Sequence, residues 1–122
     1  MKHQKILIAE DEALFAMDLG QRLKGKGFAL CEMALKGRKA IEIIEREKPD
    51  LVLMDVNLKG EISGIDAAKE IRLRFGIPVI FMTGYSDNNT KMAAMLAQPA
   101  GYVTKPLNFE KLLALIASID QP

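Results

Sequence analysis

The sequence predicts an α/β sandwich, in which a parallel five-stranded sheet lies between two layers of helices. Three observations carry that prediction. Strand-like and helix-like segments alternate five times along 122 residues, a pattern that right-handed crossovers turn into a parallel sheet covered on both faces. Three of the strand-like segments, Ile6–Ala9, Leu51–Met54 and Val79–Met82, are apolar throughout, as strands buried on both faces require. Polar residues with useful chemistry follow directly after several of these strands, at the end where open α/β sheets bind their ligands.

In order, Ile6–Ala9 reads as the first strand, with Glu10-Asp11-Glu12 at its end. A helix runs from Ala13 to about Lys24, with Leu14, Met17 and Leu23 near helical spacing and Gly25 and Gly27 closing it. The second strand spans Phe28 to about Met33. The second helix, Gly37 to Glu47, carries Ala40, Ile41 and Ile44 on one face, and Pro49 ends it because proline disfavours a helical residue before it. Leu51–Met54 is the third strand. A loop through Lys59, Gly60 and Gly64 leads to a helix with Ile65, Ala68, Ile71 and Phe75 on one face. Ser63 and Asp66 have the spacing of a capping box there. Pro78 opens the fourth strand, Val79–Met82, and Thr83-Gly84 follows. A weaker helix from Asn88 to about Ala97 stops before Pro99. Gly101–Thr104 is the fifth strand, with Lys105-Pro106 at its end. The last helix has Phe109, Leu112, Leu113 and Ile116 at i, i+3, i+4 and i+7. The architecture is flavodoxin-like, with strand order 2-1-3-4-5.

Composition narrows the function classes. The chain is expected to be a single domain over residues 1–122, with no output domain and long enough for a core without staples. Its apolar fraction is 49% and its charged fraction 27%, which is ordinary for a soluble protein. A formal net charge of +1 argues neither for nucleic acid nor for an acidic membrane surface, and no direct contact with either is expected. The basic runs Arg22–Lys26 and Lys36–Lys39 lack interleaved aromatics and read as solvated helix ends. One cysteine, Cys31, excludes an internal disulfide and reads as a small core residue. With no secretory signal and no membrane-length apolar run, a reducing cytoplasm is the expected location. His3 reads as a solvated terminal residue.

At the strand ends the fold gathers Glu10, Asp11, Asp55, Thr83 and Lys105 on one rim. Clustered carboxylates repel by on the order of 4 kcal/mol per pair at about 4 Å and an effective dielectric of about 20. A cation relieves that repulsion, and an all-oxygen donor set without His or Cys favours a hard ion such as Mg²⁺. The metal reading needs Asp11 and Asp55, with a backbone carbonyl near Asn57 and with Glu10 acting through water. A carboxylate beside a cation and a lysine is also a nucleophile suited to forming an acyl phosphate. Lys105 would pair with the phosphoryl group, Thr83 would donate a hydrogen bond to it, and Gly84 would leave room for it to enter. Each residue has a duller reading: Asp11 as a helix cap, Thr83 as a strand-end residue, Lys105 as a surface lysine, Tyr102 as a half-buried strand aromatic. Those readings would all have to hold together at four strand ends.

Ile6–Glu12, Leu51–Asp55, Pro78–Gly84 and Gly101–Pro106 resemble the signature segments of the response-regulator receiver domain of two-component signalling, over nearly the whole chain. The resemblance implies that Asp55 is the phosphoacceptor, served by a sensor histidine kinase or a histidine phosphotransfer protein. It implies Mg²⁺ held by Glu10, Asp11, Asp55 and the Asn57 carbonyl, a cis peptide at Lys105-Pro106, and Thr83 with Tyr102 as a switch pair. Phosphorylation would draw Thr83 towards the phosphoryl group and turn Tyr102 inward, reshaping the face of the fourth helix, fifth strand and fifth helix. A downstream effector or output domain would read that face, which is also the expected surface of a homodimer. Asn57 and Tyr85 stand where the family tunes hydrolysis of the acyl phosphate. Two departures are visible. The loop after Asp55 lacks the usual proline and is one residue longer, its glycines predicting greater mobility; and Pro99 replaces the usual glycine after the fourth helix.

Two other classes compete. An aspartate-nucleophile phosphatase of the haloacid dehalogenase type is suggested by Asp55-Val56-Asn57, but it wants a second aspartate where Asn57 stands. A flavin or nucleotide binder would need a glycine-rich phosphate loop after the first strand, and none is there.

Overall fold

The computed structural model describes residues 5–84 and 88–119. His3 and Tyr85 lie outside the described residues. Strand β1 is Lys5–Ala9, β2 Ala29–Leu30, β3 Leu51–Asp55, β4 Val79–Thr83 and β5 Gly101–Thr104. Helices are α1 Ala13–Gly25, α2 Gly37–Glu47, α3 Gly64–Phe75, α4 Asn88–Leu96 and α5 Phe109–Ile119. All neighbouring strands pair parallel, in the order β2-β1-β3-β4-β5.

Alternate residues of the central strands build two separate cores. Leu7, Val52, Met54 and Phe81 pack under α2, α3 and α4 with Ile41, Ile44, Ile71 and Ala94. Ile6, Ile8, Leu53, Ile80 and Met82 pack against Ala16, Leu19, Leu23, Leu112 and Ile116 of α1 and α5. The continuous apolar runs thus divide between two faces with the two-residue period of a strand. At about 25 cal/mol per Å² of apolar surface removed from water, these layers supply the dominant favourable contribution to folding.

Two expectations need correction. The face of α1 is not Leu14, Met17 and Leu23: Leu14 is 83% exposed and Met17 52%. The buried face is Ala16, Leu19 and Leu23, at i, i+3 and i+7. Alanine is apolar but small, so the two larger side chains suggested the wrong rotation about the helix axis. The second strand is also shorter than Phe28–Met33. Cys31 N–H donates to the Ile6 carbonyl at 2.9 Å, but the Ile8 carbonyl accepts from Ala34 at 3.0 Å. Regular pairing would offer it residue 33, so one extra residue is inserted and the ladder breaks after Leu30.

Caps account for several helix ends. Ser63 Oγ accepts the Asp66 N–H at 3.0 Å and opens α3. Lys48, with φ 51°, ends α2 before Pro49. Gln98, with φ 54°, turns the chain beyond α4, so the left-handed position lies one residue before Pro99. The loop after Asp55 is anchored by Val56 and Leu58, both buried.

Candidate functional site

β3 delivers Asp55 to the rim because all five of its residues are buried and in register, with Asp55 opposite Met82 of β4. The Val56 N–H still donates to the Met82 carbonyl at 3.0 Å, and then the chain turns. The Asn57 N–H donates back to Asp55 Oδ1 at 3.0 Å, an Asx turn that orients the carboxylate. Gly64, the first residue of α3, closes against this turn. A Cβ there would stand 2.1 Å from the Asp55 carbonyl oxygen, a distance no side chain tolerates.

β1 ends at Ala9, and Glu10 and Asp11 follow it beside Asp55. One carboxylate oxygen from each of Glu10, Asp11 and Asp55 lies within 4.8 Å of the others. Asp11 does not cap α1, whose N-cap is Glu12 without a side-chain hydrogen bond. The all-oxygen, multiply charged donor set fits a hard divalent cation.

β5 brings Lys105 across the same rim, and the Lys105–Pro106 peptide is cis. The ammonium lies 2.6 Å from Glu10 Oε1, 3.7 Å from Glu12 Oε1 and 3.9 Å from Asp55 Oδ2. Glu10 is fully buried, and its other oxygen accepts the Glu12 N–H at 3.0 Å. Burial pushes the Glu10 carboxyl above its usual range, against the opposing pull of Lys105 and that amide. For Lys105, burial works downward. The hydrogen bond to Glu10 and the charges of Asp55, Glu10 and Glu12 outweigh it and hold the ammonium above the usual lysine range.

Thr83 ends β4, fully buried, opposite Thr104. It follows Phe81 by two residues, so its side chain shares the sheet face on which Phe81 and half-buried Tyr102 pack. The Tyr102 hydroxyl is buried and has no hydrogen-bond partner among the described residues. Gly84 is exposed, and a Cβ there would meet nothing within 4 Å among the described residues.

Glu10, Asp11 and Asp55 are therefore brought within reach of one another, and Lys105 within reach of Glu10 and Asp55. Sequence reasoning missed two neighbours. Gly64 was read only as a loop glycine, because its close approach to Asp55 is a tertiary contact. Phe15 was not singled out at all. Its ring centroid lies 4.5 Å from the Lys105 ammonium, and the only local signal was an aromatic four residues beyond Asp11.

The comparisons agree with one another. A family model described as the response regulator receiver domain matches residues 6–117. The transcriptional regulatory protein PdtaR of Mycobacterium tuberculosis is 38% identical over 113 residues, covering 93% of this chain and 55% of that protein. The phyllosphere-induced regulator PhyR of Methylorubrum extorquens is 34% identical over 114 residues, covering 93% of this chain and 42% of that protein. The chain thus spans about half the length of the curated relatives it matches. Among solved structures, the signal receiver domain of a modulated diguanylate cyclase from Desulfovibrio desulfuricans superposes with TM-score 0.90 at 28% identity, covering 96% of this chain and 93% of that one. A CheY-like receiver domain protein from Methanospirillum hungatei gives TM-score 0.85 at 27% identity, with coverage of 96% and 93%.

Proposed function

The chain belongs to the response regulator receiver domain family, and from that premise we propose that Asp55 accepts a phosphoryl group from a histidine kinase or a histidine phosphotransfer protein. The observation that carries this reading is the convergence on Asp55 of a three-carboxylate group and the Lys105 ammonium at 3.9 Å. A carboxylate oxygen of Asp55 attacks phosphorus and forms a P–O bond as the P–N bond to the donor imidazole breaks. The electron pair leaves with the imidazole, which takes up a proton. Glu10, Asp11 and Asp55, with the Asn57 carbonyl, would hold Mg²⁺, which supplies charge neutralisation for the transferring group. Lys105 pairs with that group as a point charge and Thr83 donates to it. Hydrolysis of the acyl phosphate by water returns the module to its starting state. The protein is a signalling module rather than an enzyme turning over a substrate. The haloacid dehalogenase alternative finds no support among the relatives, and Asn57 stands where its second aspartate belongs.

The readout is a two-state shift, driven only as far as the phosphoryl group binds one state better. The Tyr102 ring is half-buried on the sheet face it shares with Thr83, which supports its part in the expected switch. α4 offers Met92 and Leu96, exposed by 68% and 74%, as the apolar part of a surface for an output partner or a second copy. Two relatives are named as regulators and extend well beyond the matched region, which supports an output partner for the receiver, in the same chain or another.

The test is intact mass after incubation with Mg²⁺ and acetyl phosphate. One phosphoryl adduct is expected on the parent, with none on Asp55→Asn and none after chelation of Mg²⁺. An adduct on Asp55→Asn, or none on the parent, overturns the reading.

A further inference from the structure

Resting on that reading, we infer that Phe15 is a positioning residue for phosphoryl transfer: the face of its ring holds the Lys105 ammonium at the rim. The ammonium is 4.5 Å from the Phe15 ring centroid, inside the roughly 6 Å within which the electron-rich face of an aromatic attracts a cation. It also faces three carboxylates, Glu10 at 2.6 Å, Glu12 at 3.7 Å and Asp55 at 3.9 Å.

Those carboxylates hold the ammonium by charge, and the ring adds a neutral contact to the same cation. A lysine head is strongly hydrated and sits on a flexible stem. A cleft of about 520 Å³ opens beside it, lined by Lys105 itself with Phe15, Gly84, Pro106 and Phe109. Phe15 belongs both to that cleft wall and to the ammonium's surroundings. The Lys105 side chain is only 17% exposed. The ring also does what a further carboxylate would do badly. Glu10 grips the ammonium with a full charge and lies nearer to it than Asp55 does. A neutral ring holds the same cation without competing for its charge when a phosphoryl group arrives.

Phe15 is well placed for this. It lies on the first turn of α1, four residues past Asp11, and the same helix is pinned by buried Ala16, Leu19 and Leu23. The ring is therefore fixed in relation to the acidic group by the element that directly follows it. A purely structural role for Phe15 is the competing account, since the ring also packs beside the second core. Leucine at this position separates the two, because it keeps apolar packing and loses the aromatic face.

The experiment uses the full chain with Mg²⁺ and acetyl phosphate, following the rate of adduct formation for the parent, Phe15→Leu and Phe15→Tyr. The Lys105 ε-methylene resonances are recorded in parallel by NMR. Phe15→Leu is expected to be about threefold to tenfold slower, with a thermal midpoint near the parent's, and Phe15→Tyr to restore most of the rate. The ε-methylene protons should be shifted upfield by the ring in the parent and in Phe15→Tyr, and not in Phe15→Leu. Parent ε-methylene shifts at the random-coil position overturn the inference, whatever becomes of the variants. So does a folded Phe15→Leu at the parent's rate, or a folded Phe15→Tyr as slow as Phe15→Leu. A parent that takes up no phosphoryl group defeats the functional reading instead, and the NMR arm still decides whether the ring holds the ammonium.

Discussion

At the scale of single residues, the rim is held together by contacts that sequence spacing does not encode. Gly64 is the clearest case. Substituting alanine would drive a Cβ to within 2.1 Å of the Asp55 carbonyl oxygen and 2.9 Å of the Val56 carbonyl oxygen. The backbone of the Asp55 turn has to shift, as overpacking generally requires, at a cost of about 2–3 kcal/mol. Gly64→Ala should therefore lower the urea midpoint and slow phosphorylation of Asp55. Unchanged stability would mean that the turn has slack. The residues of the rim were legible, because Glu10, Asp55 and Thr83 each stand directly after an apolar run, with Asp11 next to Glu10 and Lys105 at the end of the fifth strand. Their pairing was not. That Lys105 sits nearest Glu10 depends on side-chain lengths and on burial from β1 and β5 together, and neither is visible along the chain.

At the scale of elements, uninterrupted apolar runs made the central strands easy to place, and proline and glycine marked the helix ends. The amphipathic helices whose large residues all face inward, α2 and α5, were legible for the same reason. α1 was misread because its inward face includes Ala16, while two large apolar residues, Leu14 and Met17, face solvent. The difference is measurable. Leu19→Ala removes a side chain that is only 4% exposed and should cost about 2–4 kcal/mol in urea unfolding. Leu14→Ser should change stability by no more than about 0.5 kcal/mol. The reverse order would restore the original phase of the helix. The early end of β2 was illegible for another reason: an inserted residue changes register without changing hydrophobic pattern.

At the scale of the whole molecule, folding couples to pH through Cys31. Burial, assisted by the nearby charge of Glu47 and opposed by Lys5, pushes its thiol from the ordinary 9.0 to about 11. The folded state thus holds this proton more tightly than the unfolded chain does. Stability from this group is intact below about pH 9 and is lost as pH rises toward about 11, by about 2 kcal/mol. Lys105, also held above its ordinary 10.5, adds a loss in the same direction at the upper end of that range. Urea midpoints measured from about pH 8 to 11 should fall for the parent and fall less steeply for Cys31→Ala. Equal slopes would remove Cys31 from the account.

The inserted residue beyond β2 has a consequence for how molecules of this protein meet one another. A sheet edge offers unpaired amides and carbonyls to any extended chain, and a long flat edge invites stacking into fibrils. Here the β2 edge keeps a regular ladder for only two residues, Ala29 and Leu30, before the backbone steps out of register. Directly after them Cys31 turns into the core and Glu32 carries its charge outward, paired with Arg46 at 2.6 Å. An incoming strand would find too few aligned partners to nucleate on, and it would meet charge where it needs an apolar seam. The irregularity that ends the strand earlier than its sequence suggests is also what makes this side of the molecule a poor template for self-association.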